Sequence, residues 1–236
     1  MQSHEEIMHW TQAISLFREV LEGDWDGNTD AVLGTSFFLN SLAFIDVRPT
    51  TVPRIASELR LFGWLRVQLG FTQLIWRASL RSTSNVWLPF FRSSVPDAVW
   101  FYDERPGTVG IPDRFVELYE VTEVSTCDTH TYLRPLRRIC RILQIEKKPE
   151  NTIRFIQFVQ GMSTNFAQLL EDLDPRALLL CSYWLGCMCC TNLWWTRNRS
   201  LNECRSICAF LMKARPGWIE LLEFPAVCSG FWLCRT

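Results

Sequence analysis

Cys187 and Cys190 form a C-x-x-C pair inside the run Cys187-Met188-Cys189-Cys190, and Cys204 and Cys208 stand one helical turn apart. Four thiolates at such spacings could surround a zinc ion. Zinc pairs sit on knuckles or turns in polar surroundings, whereas this C-x-x-C lies in the middle of an apolar run, so the sequence reads these residues as core thiols. The ten cysteines, none of which precedes Cys127, are read as mostly reduced core thiols. Disulfide frameworks staple short, loop-rich secreted chains, and these residues lie inside apolar helical stretches instead. The histidines, His4, His9 and His130, are far apart, and nothing marks a Cys-His or Ser-His relay. No catalytic residue, metal ligand or cofactor is assigned.

Glu171, Asp172 and Asp174 could hold a magnesium ion on a diphosphate. The helix start that they mark accounts for them better. An aspartate accepts from the orphan amides of a first turn, Pro175 tolerates the first helical position, and negative charge complements the positive end of the dipole. Neither G-x-x-x-x-G-K nor G-x-G-x-x-G occurs, so no phosphate-cradling loop is evident. Arg134, Arg137, Arg138 and Arg141 fall on one helical face opposite Leu136, Cys140 and Leu143. This is read as a solvated face, with contacts to phosphates or an acidic partner as the functional alternative.

The elements that must position these residues are helical. Ser3 with Glu6 makes a capping box, followed by Ile7, Trp10, Ile14, Phe17 and Leu21 at three- and four-residue steps up to Gly23. A second helix, capped at Asn28 or Thr29, is dense enough in apolar residues (Val32, Phe37, Leu39, Leu42, Phe44) to be expected buried on most sides. A third segment opens at Thr51 and Pro53 and is expected to divide at Gly70. Between 82 and 112 helical periodicity lapses, and six prolines and glycines alternate with aromatics such as Trp87, Phe90, Trp100 and Tyr102. That stretch is expected to be a long ordered loop packed down as a lid. Helix resumes at Asp113 and continues past Thr129 to Leu143, Pro149 breaks it, and Ile153 to Leu170 form another. The uncharged helix starts at Asp174-Pro175, and a last helix or pair covers about Asn202 to Lys213 and Trp218 to Phe224, with Pro216 and Pro225 as stops. The expected fold is all-α: an irregular multi-helix bundle.

With 236 residues, 48% hydrophobic and 21% charged, the chain is long enough for one core, and residues 1–236 are read as a single domain. The net charge of -1 supplies no global field to gather nucleic acid or an anionic membrane. Ala177 to Trp195 carries 19 residues without charge and is the one stretch that could be weighed as a membrane span. Its Ser182, Tyr183, Thr191 and Asn192 favour a buried central helix. The acidic start, Met1 to Glu6, has no secretory signature, which points to the nucleus or cytoplasm.

Trp10 to Arg18 (WTQAISLFR), Asp30 to Phe44 (DAVLGTSFFLNSLAF) and Trp64 to Gly70 (WLRVQLG) resemble successive elements of the fungal zinc-cluster transcription factors, with the sterol uptake control type the nearest group. Phe166 to Leu170, Asp174-Pro175-Arg176-Ala177-Leu178, Ser182-Tyr183, Trp194-Trp195 and Trp218 to Pro225 run in the order that group's effector domain uses. The resemblance implies a helical regulatory domain that senses a ligand, in some members a sterol, and acts through a separate six-cysteine zinc cluster that reads DNA. No six-cysteine array occurs here, so no autonomous DNA binding is expected. Trp194-Trp195-Thr196 also lacks the glycine-tryptophan step that the pattern leads one to expect.

Ser182, Gly186, Cys189 and Cys190 put small side chains on one side of the uncharged helix, permitting close approach of a neighbouring helix or a flat apolar molecule. Tyr183, Cys187, Cys190 and Trp194 follow at steps of four, three and four. The candidate ligand-binding residues are Tyr183, Trp184, Gly186, Cys187, Trp194 and Phe224, for an apolar sterol or isoprenoid-like molecule. The alternatives are a ligand-free module for a protein partner or homodimer, and an enzyme that uses an apolar chamber.

Overall fold

A computed structural model describes residues 4–45, 63–81, 86–87, 103–160 and 162–233. They form ten α-helices: α1 (His4–Glu22), α2 (Thr29–Phe44), α3 (Gly63–Arg81), α4 (Asp113–Tyr119), α5 (Leu133–Gln144), α6 (Thr152–Gln160), α7 (Thr164–Glu171), α8 (Pro175–Thr191), α9 (Trp194–Ala214) and α10 (Glu223–Ser229). Among the described residues there is no strand, so the fold is all-α as the periodicity predicts.

Helix α8 is the axle. Fourteen of its 17 residues are buried, and α5, α6, α7, α9 and α10 all pack on it. A helix apolar all round must be covered all round. It starts as the sequence predicts, with the Ala177 amide donating to Asp174 Oδ1 at 2.8 Å and Pro175 in the first turn. It stops sooner than the uncharged run does. Asn192 takes a left-handed conformation (φ 52°), a state its short polar side chain tolerates, and Trp194 opens α9. The 19-residue run is therefore two elements, and among the described residues no helix is long and apolar enough to cross a membrane.

Aromatic stacking fixes the layers around the axle. Trp184 is stacked between Trp64 of α3, with centroids 5.6 Å apart, and Phe158 of α6, at 5.7 Å. Its indole N–H donates to the Phe155 carbonyl at 2.8 Å, so the one polar atom of this buried ring is satisfied. Arg199 of α9 then reaches the end of α2, donating to the carbonyls of Phe44 (2.6 Å) and Ala43 (3.1 Å) that the helix itself leaves unpaired. Its remaining nitrogen meets Glu203 at 2.8 Å, and Glu203 also accepts from the Trp64 indole at 3.0 Å.

Several expectations are corrected. Arg137 and Arg138 are buried at 2% and 4% exposure, so the α5 arginines do not form a solvated face. Arg137 donates to the carbonyls of Gly107 (2.7 Å), Val109 (2.9 Å) and Pro106 (3.1 Å). It clamps residues 103–112 onto the bundle, and this is the described part of the stretch expected to be an ordered loop. Most of the rest of that stretch lies outside the described residues, as do Ser3, Thr51 and Pro53. Helix α2 is one-sided, with Val32 and Leu33 buried while Phe38 and Leu42 are 60% and 51% exposed. Gly70 does not divide α3, because an exposed glycine with nothing within 4 Å of a Cβ weakens a helix without ending it. Helix α4 ends at Glu120, whose φ of 55° is left-handed, and the expected continuous run to Leu143 includes a turn segment before α5. The run from Ile153 to Leu170 is two helices, since Ser163 caps α7 by accepting from the Phe166 amide. Pro225 lies inside the first turn of α10 and is no stop there, because a first-turn proline loses no helical bond.

Candidate functional site

The six sequence-predicted ligand residues do not converge on one open space. Tyr183 and Phe224 stack on each other at 5.3 Å, and the buried Tyr183 hydroxyl donates to the Leu221 carbonyl at 2.8 Å. Burial pushes the Tyr183 phenol up to about 12 and the Cys187 thiol likewise to about 12, so neither ionises near neutrality. Trp184 faces the other way, into the α3 and α6 stack. Trp194 is 78% exposed at the start of α9. At Gly186 the small-residue stripe admits helix α10 itself: a Cβ there would meet Phe224 Cε1 at 3.2 Å and Pro225 Cα at 3.3 Å. A ligand entering between α8 and α10 must displace α10.

Open volume lies instead at the other end of α8. A cleft of about 540 Å³ is bordered by Glu117 and Leu118 of α4, Tyr132 ahead of α5, Asp174, Pro175 and Arg176 at the start of α8, and Arg215 and Trp218 in the turn after α9. That volume falls in the ordinary range for small-molecule sites. Three hydrogen bonds hold its walls. The Tyr132 hydroxyl donates to Asp174 Oδ1 at 2.9 Å, the Tyr119 hydroxyl donates to the Arg176 carbonyl at 2.9 Å, and Arg176 pairs with Glu120 at 2.6 Å. Asp174 is thus committed twice, to Tyr132 and to its own helix.

The polar groups left over give the cleft its chemistry. The Arg215 guanidinium lies 5.9 Å above the Trp218 ring centroid. Cation and ring together offer one flat apolar face and one bidentate donor fork. Burial, then donation to Asp174, pushes the Tyr132 phenol up to about 12, so it serves as a donor and not as a base. Among the described residues no group of three or more metal-ligating side chains could hold an ion. The lining offers aromatic faces, guanidinium donors and carboxylate acceptors.

Sequence reasoning reached Asp174 as a cap and Trp218 as part of a motif, but it missed Tyr132, Arg176 and Arg215 as neighbours. They come from three separate turns, and no spacing within one helix signals their meeting. No family model matches the chain, and comparison with curated proteins and with solved structures yields no match.

Proposed function

We propose that this chain is a transcription-regulator-like effector domain, without a DNA-reading module in these residues, that responds to a small, largely apolar molecule. The cleft at the start of α8 is its binding place in this reading. What supports that place is the contrast between the two ends of α8, closed by α10 at Gly186 and open beside Trp218 and Arg215. A sterol or isoprenoid-like body lies against the Trp218 and Tyr132 rings, and a hydroxyl or acidic head meets Arg215.

Thermal melting with a panel of sterols and isoprenoid acids tests this. A ligand specific for the folded state raises the melting temperature with concentration, by about 2.7 kcal/mol of stabilisation at 100 times its Kd. Trp218→Ala should remove the shift, and Phe224→Ala, on the α10 side of the seam, should keep it. The opposite pattern would put the ligand in the seam with Tyr183, Gly186, Cys187 and Phe224. If no compound shifts the melt, the ligand reading fails.

One observation favours a second reading, a protein-interaction module. Ile7, Met8, Ile14, Leu16 and Val20 of α1 are all exposed, together with Phe38 and Leu42 of α2. In this reading the lightly packed α1, none of whose residues is buried, is the element that a partner would cover. A protein partner or a second copy of the chain would cover these side chains, and a concentration-dependent mass in sedimentation would identify the second copy.

A further inference from the structure

The chain is almost neutral, yet its charge is unevenly spread. Residues 4–30 carry seven acidic side chains against Arg18 alone, and elsewhere the cations are in excess. Arg18 is committed within α1, to Glu22 at 2.9 Å. Glu19 and Glu22 stand in the last turn of that helix, which has no basic residue, and negative charge there opposes the helix dipole. The acidity at this end of α1 therefore does not serve the helix itself.

The apolar side of α1 is also wider than its seat. Phe17 and Leu21 pack against the cluster of Trp25, Val32, Leu33 and Ala78. At about 100° per residue, Ile7 and Ile14 fall to one side of that line and Leu16 and Val20 to the other. All four are exposed. Glu5 and Glu19 lie one turn from Met8 and Leu16 respectively, so carboxylates border the exposed apolar groups. Helix α2, which packs beside α1, leaves a second exposed line of this kind, Ala31, Thr35, Phe38 and Leu42, and its one charged residue is Asp30.

We propose that α1 is the docking face for a cationic amphipathic helix of another protein, which lays apolar side chains along Leu16 and Val20 and sets lysines or arginines against Glu5 and Glu19. This rests on the protein-interaction reading and names the partner's chemistry. Charge decides among the occupants. A second copy that meets α1 with its own α1 opposes carboxylate to carboxylate, and a nucleic acid or an anionic membrane brings further negative charge. A helix suits the face because side chains three and four apart form ridges between which those of another helix pack. From Ile7 to Val20 the helix runs about 20 Å, which matches three to four turns of a partner.

The test uses the full chain and two labelled synthetic peptides with the same helical leucine pattern, one with lysine and one with glutamate at the polar positions. Fluorescence anisotropy at low and high salt reads their binding. The lysine peptide should bind at least roughly 30-fold more tightly than the glutamate peptide, and the gap should narrow as salt rises. Leu16→Ala with Val20→Ala removes apolar surface while keeping helix propensity, at positions that are not buried, so the fold should persist by circular dichroism. This pair should weaken the lysine peptide about tenfold. Glu5→Gln with Glu19→Gln should remove most of the preference for lysine over glutamate. Trp218→Ala, in the cleft, should change neither result.

Equal binding of the two peptides, or lysine-peptide binding that the α1 substitutions leave unchanged, would overturn the proposal and leave the interaction reading to another face. A wild-type dimer in sedimentation that Leu16→Ala with Val20→Ala dissociates would assign the face to a second copy, so the proposal fails and the interaction reading stands. Sedimentation of the chain with phosphatidylserine vesicles would assign it to a membrane and overturn the proposal. If neither peptide binds and the chain sediments as a monomer, the proposal and the interaction reading fail together.

Discussion

Arg137 shows how one side chain can organise a region. Its guanidinium is buried and satisfies three carbonyls of the 103–112 segment, at Gly107, Val109 and Pro106, while Asp103 stands 3.4 Å from Nη1. Arg137→Met keeps most of the stem and removes every donor, which strands buried acceptors. The expected loss is about 3 kcal/mol, read from the urea midpoint at unchanged slope. Asp103 completes the clamp from the loop side. Hydrogen bonds from Arg105, backed by Arg141 and the charge of Arg137, hold its carboxyl well below the usual carboxylate range against the opposing effect of burial. A carboxyl depressed in the folded state adds stability above its unfolded pKa, about 3.9, and loses it as the pH falls toward the folded value. Acid titration of wild type should therefore show a loss of stability beginning near pH 4 that Asp103→Asn lacks. Parallel titration curves for the two proteins would mean that the clamp does not depend on this charge.

At the scale of elements, the seam between α8 and α10 depends on one missing methyl group. Gly186→Ala places a Cβ 3.3 Å from a backbone atom, Pro225 Cα, which cannot rotate away as the Phe224 ring can. Overpacking of this kind costs about 1–3 kcal/mol, more than the helix propensity gained by replacing glycine with alanine. A stabilised Gly186→Ala protein, measured by thermal melting, would show that α10 is loosely seated. This seam also marks how far the sequence could be read. Asp174-Pro175 carried its own start signal, and the density of apolar residues made α8 central, because both are local properties. The stripe of small residues correctly signalled a close approach, but whether helix or ligand fills it depends on α10, nearly 40 residues away. The cleft was less legible still, since Tyr132, Arg176 and Arg215 meet only through the packing of α4, α8 and the turn after α9. The α5 arginines misled for a related reason. Their spacing is that of a solvated face, and the loop that takes up the Arg137 guanidinium is remote in sequence.

For the whole molecule, burial is unevenly shared. The main core runs from Phe44 and Trp64 through α8 to Ala226, whereas Trp25, Val32, Leu33 and Ala78 form a separate small cluster between α2 and α3. Helix α1 only leans on that cluster through Phe17 and Leu21, and none of its residues is buried. Amide protection follows burial and contact density, so the molecule should open in a defined order under native conditions. Amides of α1 should exchange first, those of α2 and α3 next, and those in the middle of α8 only with global unfolding. The measurement is hydrogen exchange read by mass spectrometry at two protein concentrations. If α1 is as protected as α8 at both, it has cover that its packing on Phe17 and Leu21 does not supply, and the proposed order is wrong. If its protection appears only at the higher concentration, the exposed Ile7, Met8, Ile14, Leu16 and Val20 are covered by a second copy. That outcome would decide for the interaction reading at this end of the molecule, while leaving the cleft at the other end of the fold open to its ligand.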